Sequence, residues 1–285
     1  MKTAAFQLHK PSSTKEAVEL LALHADEDGR VIAGGQSLVP SMMFRMAVPP
    51  HLIDINGIKE LSELKVEKDS LLIGAAVRHL RFEKPVEPGP TGKLLARVVK
   101  HIAHYPIRTR GTFCGSLAQS DPSSEWCLTA ATLGAVMIAQ SVRGKREIQA
   151  KDYFKGIMET ALEPDEILVG VRLPLLPDDA VFGFTEFSRR QGDYAMSMGL
   201  ATWQVVGGVI AGARLGIGGA EPHPRRMVEA ETMLNGQAPS LKLIASAAAA
   251  AADAIDPLED VQADAEYRRD LVRAMARRAM EQCLS

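Results

Sequence analysis

The sequence predicts an α+β fold laid out in three consecutive pieces, and three observations carry that expectation. Residues 1–58 place short apolar runs around one amphipathic helix, with Gly34-Gly35 and Asn56-Gly57 where two of the runs end. Residues 59–176 mix a hairpin, helices and strands until Pro174 and Pro177 break the chain. Residues 177–285 put strand-like runs first and helical runs afterwards, the order of an α+β unit. The expected division is 1–176, with subdomains about 1–58 and 59–176, followed by 177–285.

Phe6 to His9 reads as a short strand. Ser13 and Glu16 then form an S-x-x-E capping box, which satisfies the free amides of a helix start, ahead of Ala17, Leu20, Leu21 and His24 at helical spacing. Val31 to Ala33 and Leu52 to Ile55 are two further strand-like runs. In the second piece, Leu64 and Val66 face Leu71, Leu72 and Ile73 across the charged turn Glu67-Lys68-Asp69, which predicts a hairpin. Pro85, Pro88, Gly89 and Pro90 form a loop, and Leu94 to Ile102 has helical spacing. Ser123 to Gly134 predicts a helix with Ser123 or Ser124 at its start and glycine at its end, while Ala135 to Ala139 and Glu166 to Leu173 predict strands. In the third piece Val181 to Ser188, Gly199 to Val206 and Val209 to Ile217 predict an antiparallel three-stranded sheet. Val228 to Leu234, Leu241 to Ala254 and Ala265 to Gln282 predict the helices that follow.

Composition narrows the function classes. With 285 residues, 46% hydrophobic and 24% charged, the chain can fill one large or two ordinary cores, which excludes a disordered protein. A net charge of -2 offers no general attraction to nucleic acid or anionic lipid, so neither partner is predicted. Met1 to Lys10 lacks the basic start and apolar core of a secretory signal. Ala-rich stretches such as Ala245 to Ala252 fall far short of the roughly 20 residues that span a bilayer. The expectation is a cytoplasmic protein without membrane insertion. Cys114, Cys127 and Cys283 are too few and too far apart for a CxxC pair or a four-thiolate cluster, so any iron-sulfur centre belongs to another chain.

Two glycine loops carry the chemistry. Ala33-Gly34-Gly35-Gln36-Ser37-Leu38 follows an apolar strand, and paired glycines let main-chain N–H groups converge on an anion such as a pyrophosphate. The same pair also suits an ordinary strand-to-helix turn. Arg110 to Leu117, with Thr112, Cys114, Gly115 and Ser116, offers small and hydroxyl side chains for phosphate oxygens. Asp121 or Glu125 would accept hydrogen bonds from ribitol or ribose hydroxyls; helix capping is the alternative role for Asp121 and Ser123. Neither loop is a GxGxxG or a P-loop. Loops about 80 residues apart, on different subdomains, imply a dinucleotide held at an interface.

In order and spacing, Ala33 to Leu38, Asp54 to Gly57, Gly111 to Ser116 with Asp121-Pro122, and Arg189 to Ala195 resemble the flavin subunits of the xanthine oxidase group. Within that group the chain is most similar to medium subunits of the carbon monoxide dehydrogenase type, over nearly its whole length. The resemblance implies an FAD-binding domain of the vanillyl-alcohol-oxidase (PCMH) type in two subdomains, then a C-terminal α+β domain. It implies that Gly34 to Ser37 bind the FAD pyrophosphate from one side and Thr112, Gly115 and Ser116 from the other. Glu125 takes the place of an acidic residue near the ribityl chain, Leu168 that of an apolar contact, and the segment from Arg189 through Arg190 to Ala195 approaches the isoalloxazine, Tyr194 foremost. The implied partners are a large molybdopterin subunit and a small [2Fe-2S] subunit, in a dimer of heterotrimers.

Two departures stand out. The family's T-I-G-G is here Thr112-Phe113-Cys114-Gly115, which predicts strain at Cys114 wherever that glycine has positive φ. A lysine that some members place near the flavin is absent, with Thr185 or Glu186 in its neighbourhood.

The remaining residues take ordinary readings. His101 and His104 lack the partners of a metal set and are expected to pack or cap, and no metal or covalent catalytic residue is assigned. Arg189-Arg190 and Arg225-Arg226 read as solvated charge, and Arg268, Arg269, Arg273, Arg277 and Arg278 as an exposed helix face. The methionines fill core, with an interface as a minority reading for Met42 to Val48. The favoured function is electron transfer through FAD within a molybdenum hydroxylase. Alternatives are a stand-alone FAD-dependent oxidase or reductase of the same fold, marked by turnover without partners, and an assembly protein that has lost its flavin.

Overall fold

The computed structural model describes residues 2–284; Met1 and Ser285, the outer bounds of the first and last expected units, lie outside them. The first sheet is parallel, ordered β1 (Gln7–His9), β3 (His51–Asp54), β2 (Arg30–Ile32). Helices α1 (Thr14–His24) and α2 (Leu38–Met43) link its strands. Ser13 caps α1 by accepting from the Glu16 N–H, while the Glu16 carboxylate accepts from the Ser12 N–H rather than that of Ser13, a capping box displaced by one residue.

The second sheet has the order β4 (Leu64–Glu67), β5 (Ser70–Gly74), β10 (Ile167–Pro174), β6 (Val136–Ser141), β7 (Gly144–Gln149), with β4 and β5 as the expected hairpin. Between β5 and β10 the chain forms α3 (Pro90–Val98), α4 (Tyr105–Arg108), α5 (Phe113–Gln119), α6 (Glu125–Leu133), α7 (Ala150–Tyr153) and the small pair β8 (Phe154–Gly156) and β9 (Glu159–Thr160). One apolar core runs through this region, with Trp126, Phe82 and Phe113 fully buried at its centre. It also takes in Phe184, Met198 and Leu200 from farther along the chain.

The third sheet is an antiparallel meander of β11 (Val181–Phe187), β12 (Ser197–Val206) and β13 (Val209–Gly218), to which the short β14 (Arg225–Arg226) adds a fourth strand. Helices α8 (Val228–Leu234), α9 (Leu241–Asp253) and α10 (Ala265–Glu281) follow. Glycines decide how closely helices approach. A Cβ on Gly183 would lie 1.9 Å from Ala279 O of α10, and one on Gly216 would lie 1.8 Å from Thr132 Oγ1 of α6. The sheet is thus clamped between α10 and α6, which fixes where the start of α6 points.

One surface expectation fails. Arg268 is not on the exposed helix face: it is buried, donates to Met196 O (3.1 Å) and Gly219 O (2.7 Å), and pairs with Asp260 (2.8 Å). Those carbonyls lie just before β12 and just after β13, about 70 and 50 residues away, which a charge pattern along one helix does not register. Arg273, Arg277 and Arg278 do face outward.

Candidate functional site

The carboxyl ends of β2 and β3 open on one edge of the parallel sheet, where α/β sheets receive ligands. The loop after β2 meets the loop before α5 there, backbone to backbone: a Cβ on Gly34 would lie 2.6 Å from both Arg110 O and Gly111 Cα. Only glycine permits that approach, and Gly35, at φ +69°, makes the turn. Side chains pin the two loops together. Asn56 Nδ2 donates to Ala33 O (2.7 Å) and Arg78 donates to both Asn56 Oδ1 and Arg110 O, while Gln36 Nε2 braces the first loop by donating to Gly34 O (2.8 Å). The N–H groups of Gly35, Gln36, Ser37, Leu38 and Cys114 have no acceptor among the described residues. They border a cleft of about 240 Å³ lined by Ala33 to Leu38, by Thr112, Cys114, Gly115 and Ser116, and by Leu168. The arrangement can take an anion through main-chain donors without any side chain in the way.

A second compartment of about 200 Å³ shares Gln36, Ser37, His79, Ser116 and Gln119 with the first, so the two form one elongated cavity. Its far end holds Asp121, Glu125 and Tyr194. Asp121 Oδ1 accepts from the Ser123 N–H (2.9 Å), a local turn rather than the helix cap weighed for it, and burial pushes its carboxyl up. Ser124, not Ser123, caps α6; Ser123 Oγ instead donates to Ala195 O (2.8 Å), tying α6 to the segment that carries Tyr194. Burial raises the Glu125 carboxyl, and the charge of Asp121 adds to the effect. Tyr194 is 71% exposed, at the end of a loop turned by Gly192 (φ +87°) against His104. Arg190 lines neither compartment; it is exposed, and its carbonyl serves the loop by accepting from Ser188 Oγ and the Asp193 N–H.

Residues 4–176 match the family described as the FAD binding domain in molybdopterin dehydrogenase, and residues 182–283 match the CO dehydrogenase flavoprotein C-terminal domain. The chain belongs to the FAD-binding medium subunits of the molybdenum hydroxylases. It is 36% identical to the nicotine 6-hydroxylase medium subunit of Paenarthrobacter nicotinovorans, over 98% of each chain. It superposes on quinoline 2-oxidoreductase from Pseudomonas putida 86 with a TM-score of 0.92 at 35% identity, covering 99% of this chain and 98% of that one. Carbon monoxide dehydrogenase from Hydrogenophaga pseudoflava gives a TM-score of 0.95 at 31% identity, covering 100% and 99%.

Within this flavoprotein subunit, His79 is the site residue that sequence reasoning missed. It lies where the two compartments join, and Trp126 Nε1 donates to its Nδ1 (3.0 Å). An indole nitrogen only donates, so the His79 proton resides on Nε2, beside Gly111. Burial, with the charges of Arg78 and Arg108 behind it, pushes the imidazole down to about 3, leaving a neutral donor at the junction. No local signal marks it, because its partners arrive from residues 111 and 126. Glu166 also borders the first compartment; burial opposes its charge, but the two-bonded Arg146 (2.6 and 2.7 Å) outweighs that and holds it ionised.

The strain expected at Cys114 is absent. Cys114 has helical backbone inside α5, and its thiol is buried, donates to Ile73 O (3.5 Å) and is pushed far up by burial, so it stays protonated. Its free N–H keeps the role a glycine would have. His101 packs edge-on against Phe184, and His104 supports Gly192. Outside the cavity, His9, His24 and His51 bring ring nitrogens within 4.8 Å of one another, and Glu27 Oε2 lies 3.2 and 3.3 Å from His24 and His51. Phe44, Met46 and Val48 expose an apolar surface just beyond the first glycine loop, while Met42 is buried. Among the described residues no helix is long and apolar enough to cross a membrane.

Proposed function

We propose that this subunit binds FAD without covalent attachment and works as the electron-transfer member of a cytoplasmic molybdenum hydroxylase. The observation that carries the reading is the contact of Gly34 with Gly111, which turns the free N–H groups of two loops toward one cleft. In this reading Ala33 to Leu38 and Thr112, Cys114, Gly115 and Ser116 hold the diphosphate, while Leu168 supplies an apolar wall. Asp121 and Glu125 serve the ribityl end and Tyr194 covers the ring; Arg190 acts only through the shape of its loop. FAD, when bound, supplies the redox group that receives electrons from a small [2Fe-2S] subunit and yields them to an external acceptor. The large molybdopterin subunit oxidises the substrate, and the assembly is a dimer of heterotrimers. Division of the chain into 1–176 for FAD and 177–285 as the C-terminal unit completes the proposal.

Purification of the native complex tests it. The expected result is one FAD per chain and bleaching of the flavin by substrate only when all three subunits are present. A native protein without a flavin spectrum overturns the reading, and turnover of a small substrate by this chain alone replaces it with a stand-alone enzyme.

A further inference from the structure

His9, His24, His51 and Glu27 line neither compartment of the cavity. The parallel pairing of β1 with β3 sets Gln7 opposite His51 and His9 opposite Ile53, so His9 and His51 share one face of the sheet, two residues out of register. His24, in the last turn of α1, completes the group: its ring stacks on that of His51 with centroids 3.7 Å apart, and the His9 ring lies 4.9 and 5.2 Å from the two. Beyond α1 the chain doubles back. The Gly29 N–H donates to His24 O (2.8 Å), and a Cβ on Gly29 would lie 2.8 Å from the same oxygen, so the turn that carries Glu27 to the rings needs glycine.

The carboxylate decides which ring nitrogens face inward. Glu27 Oε2 accepts from His24 Nδ1 (3.2 Å) and lies 3.3 Å from His51 Nε2 as well. Negative charge beside both nitrogens favours a proton on each, and a neutral imidazole carries only one, so His24 Nε2 and His51 Nδ1 keep their lone pairs. His9 Nε2 is 3.0 Å from His51 Nδ1, on the side away from Glu27. One nitrogen from each of the three rings falls within 4.8 Å of the other two.

We propose that His9, His24 and His51 bind one divalent cation of the zinc class, with Glu27 orienting His24 and His51 from behind. Imidazole nitrogens suit zinc, copper and nickel, whereas magnesium and calcium require oxygen ligands. Tetrahedral zinc holds its nitrogens at about 2.0–2.1 Å, which sets neighbouring ligand atoms roughly 3.3 Å apart. The His9 to His51 contact is already near that value, and the stacked rings of His24 and His51 splay to converge on the ion. Binding moves the proton between His9 Nε2 and His51 Nδ1 onto His9 Nδ1 or into solvent, which frees the third lone pair. The His24 and His51 side chains are 13% and 17% exposed, shielded yet open to an entering ion, and water takes the fourth position. The ion ties the edge strand β1 to β3 and to the end of α1. This site stands apart from the FAD reading, with which it shares no residue.

The test takes the full chain, stripped of metal by a chelator and dialysed against zinc chloride, with zinc counted by atomic absorption and its ligands read by X-ray absorption at the zinc edge. One zinc per chain in a shell of three imidazoles is expected, with a melting temperature that rises with zinc concentration. His51→Gln should lose both the zinc and that rise, with circular dichroism checking its fold. Glu27→Gln should bind zinc about 10- to 100-fold more weakly, the cost of removing an orienting partner. His223→Gln, which removes a histidine outside the cluster, should bind as wild type does. A wild-type chain without stoichiometric zinc, a zinc shell without imidazole, or a folded His51→Gln that keeps wild-type binding each overturns the proposal. No arm uses flavin, so a chain that takes zinc but no FAD supports this site and overturns only the electron-transfer reading.

Discussion

The two ends of the cavity are built on different physics. At the glycine end, main-chain atoms do the work: Gly34 and Gly111 touch, no side chain intervenes, and the donors are amides whose charge state never changes. At the far end, side chains do the work: Asp121 and Glu125 are half-buried carboxyls pushed toward their protonated forms. His79 divides the two, neutral and locked by Trp126. The contrast sets rigid amides at one end of the cavity against titratable groups at the other.

The largest effect should come from the backbone end. Gly34→Ala puts a methyl 2.6 Å from Arg110 O and Gly111 Cα, and about 1–3 kcal/mol of overpacking corresponds to roughly 10- to 100-fold weaker FAD binding in a fluorescence titration. An unchanged affinity would remove the need for contact between the loops. Next, His79→Phe strands the buried Trp126 N–H and should lower unfolding free energy by about 1–3 kcal/mol in urea.

The junction histidine and the raised carboxyls should respond oppositely to pH. His79 sits at about 3 in the folded chain against 6.5 when free, so its contribution is whole above 6.5 and is lost as pH falls toward 3. The Glu125 and Glu186 carboxyls are raised above 4.5, so their contribution is whole below 4.5 and is lost as pH rises through their folded values. Melting temperatures should therefore flatten on the acid side in His79→Phe and on the alkaline side in Glu186→Gln. The reverse assignment would break the comparison. Smallest of all, Tyr194→Ala should change stability by less than about 0.5 kcal/mol, since the ring is exposed, while weakening FAD binding a few-fold.

The same division governs what the sequence revealed. Gly34, Gly35 and Gly111 are legible because a backbone requirement leaves its mark in the residue itself, and Ser13, Ser124 and Gly134 mark helix ends for the same reason. The strand β7 was not legible: it is an edge strand with only Ile148 buried, and its continuous polar run Lys145-Arg146-Glu147 shows no alternation. The two-residue β14 is too short to leave any pattern. Arg268 was misread because the carbonyls it satisfies lie at distant strand ends, and His79 escaped because burial by remote residues, not local spacing, makes it part of the site. Glu186 was visible as a position near a missing lysine, but its burial near His101 exists only in the folded chain.

Amide hydrogen exchange on the purified chain, with and without FAD, tests the shared grip of the two loops most directly. FAD is expected to slow exchange at Gly35 to Leu38 and at Cys114 together, with the same concentration dependence. Protection of one loop alone, or of neither, would contradict a diphosphate held between them.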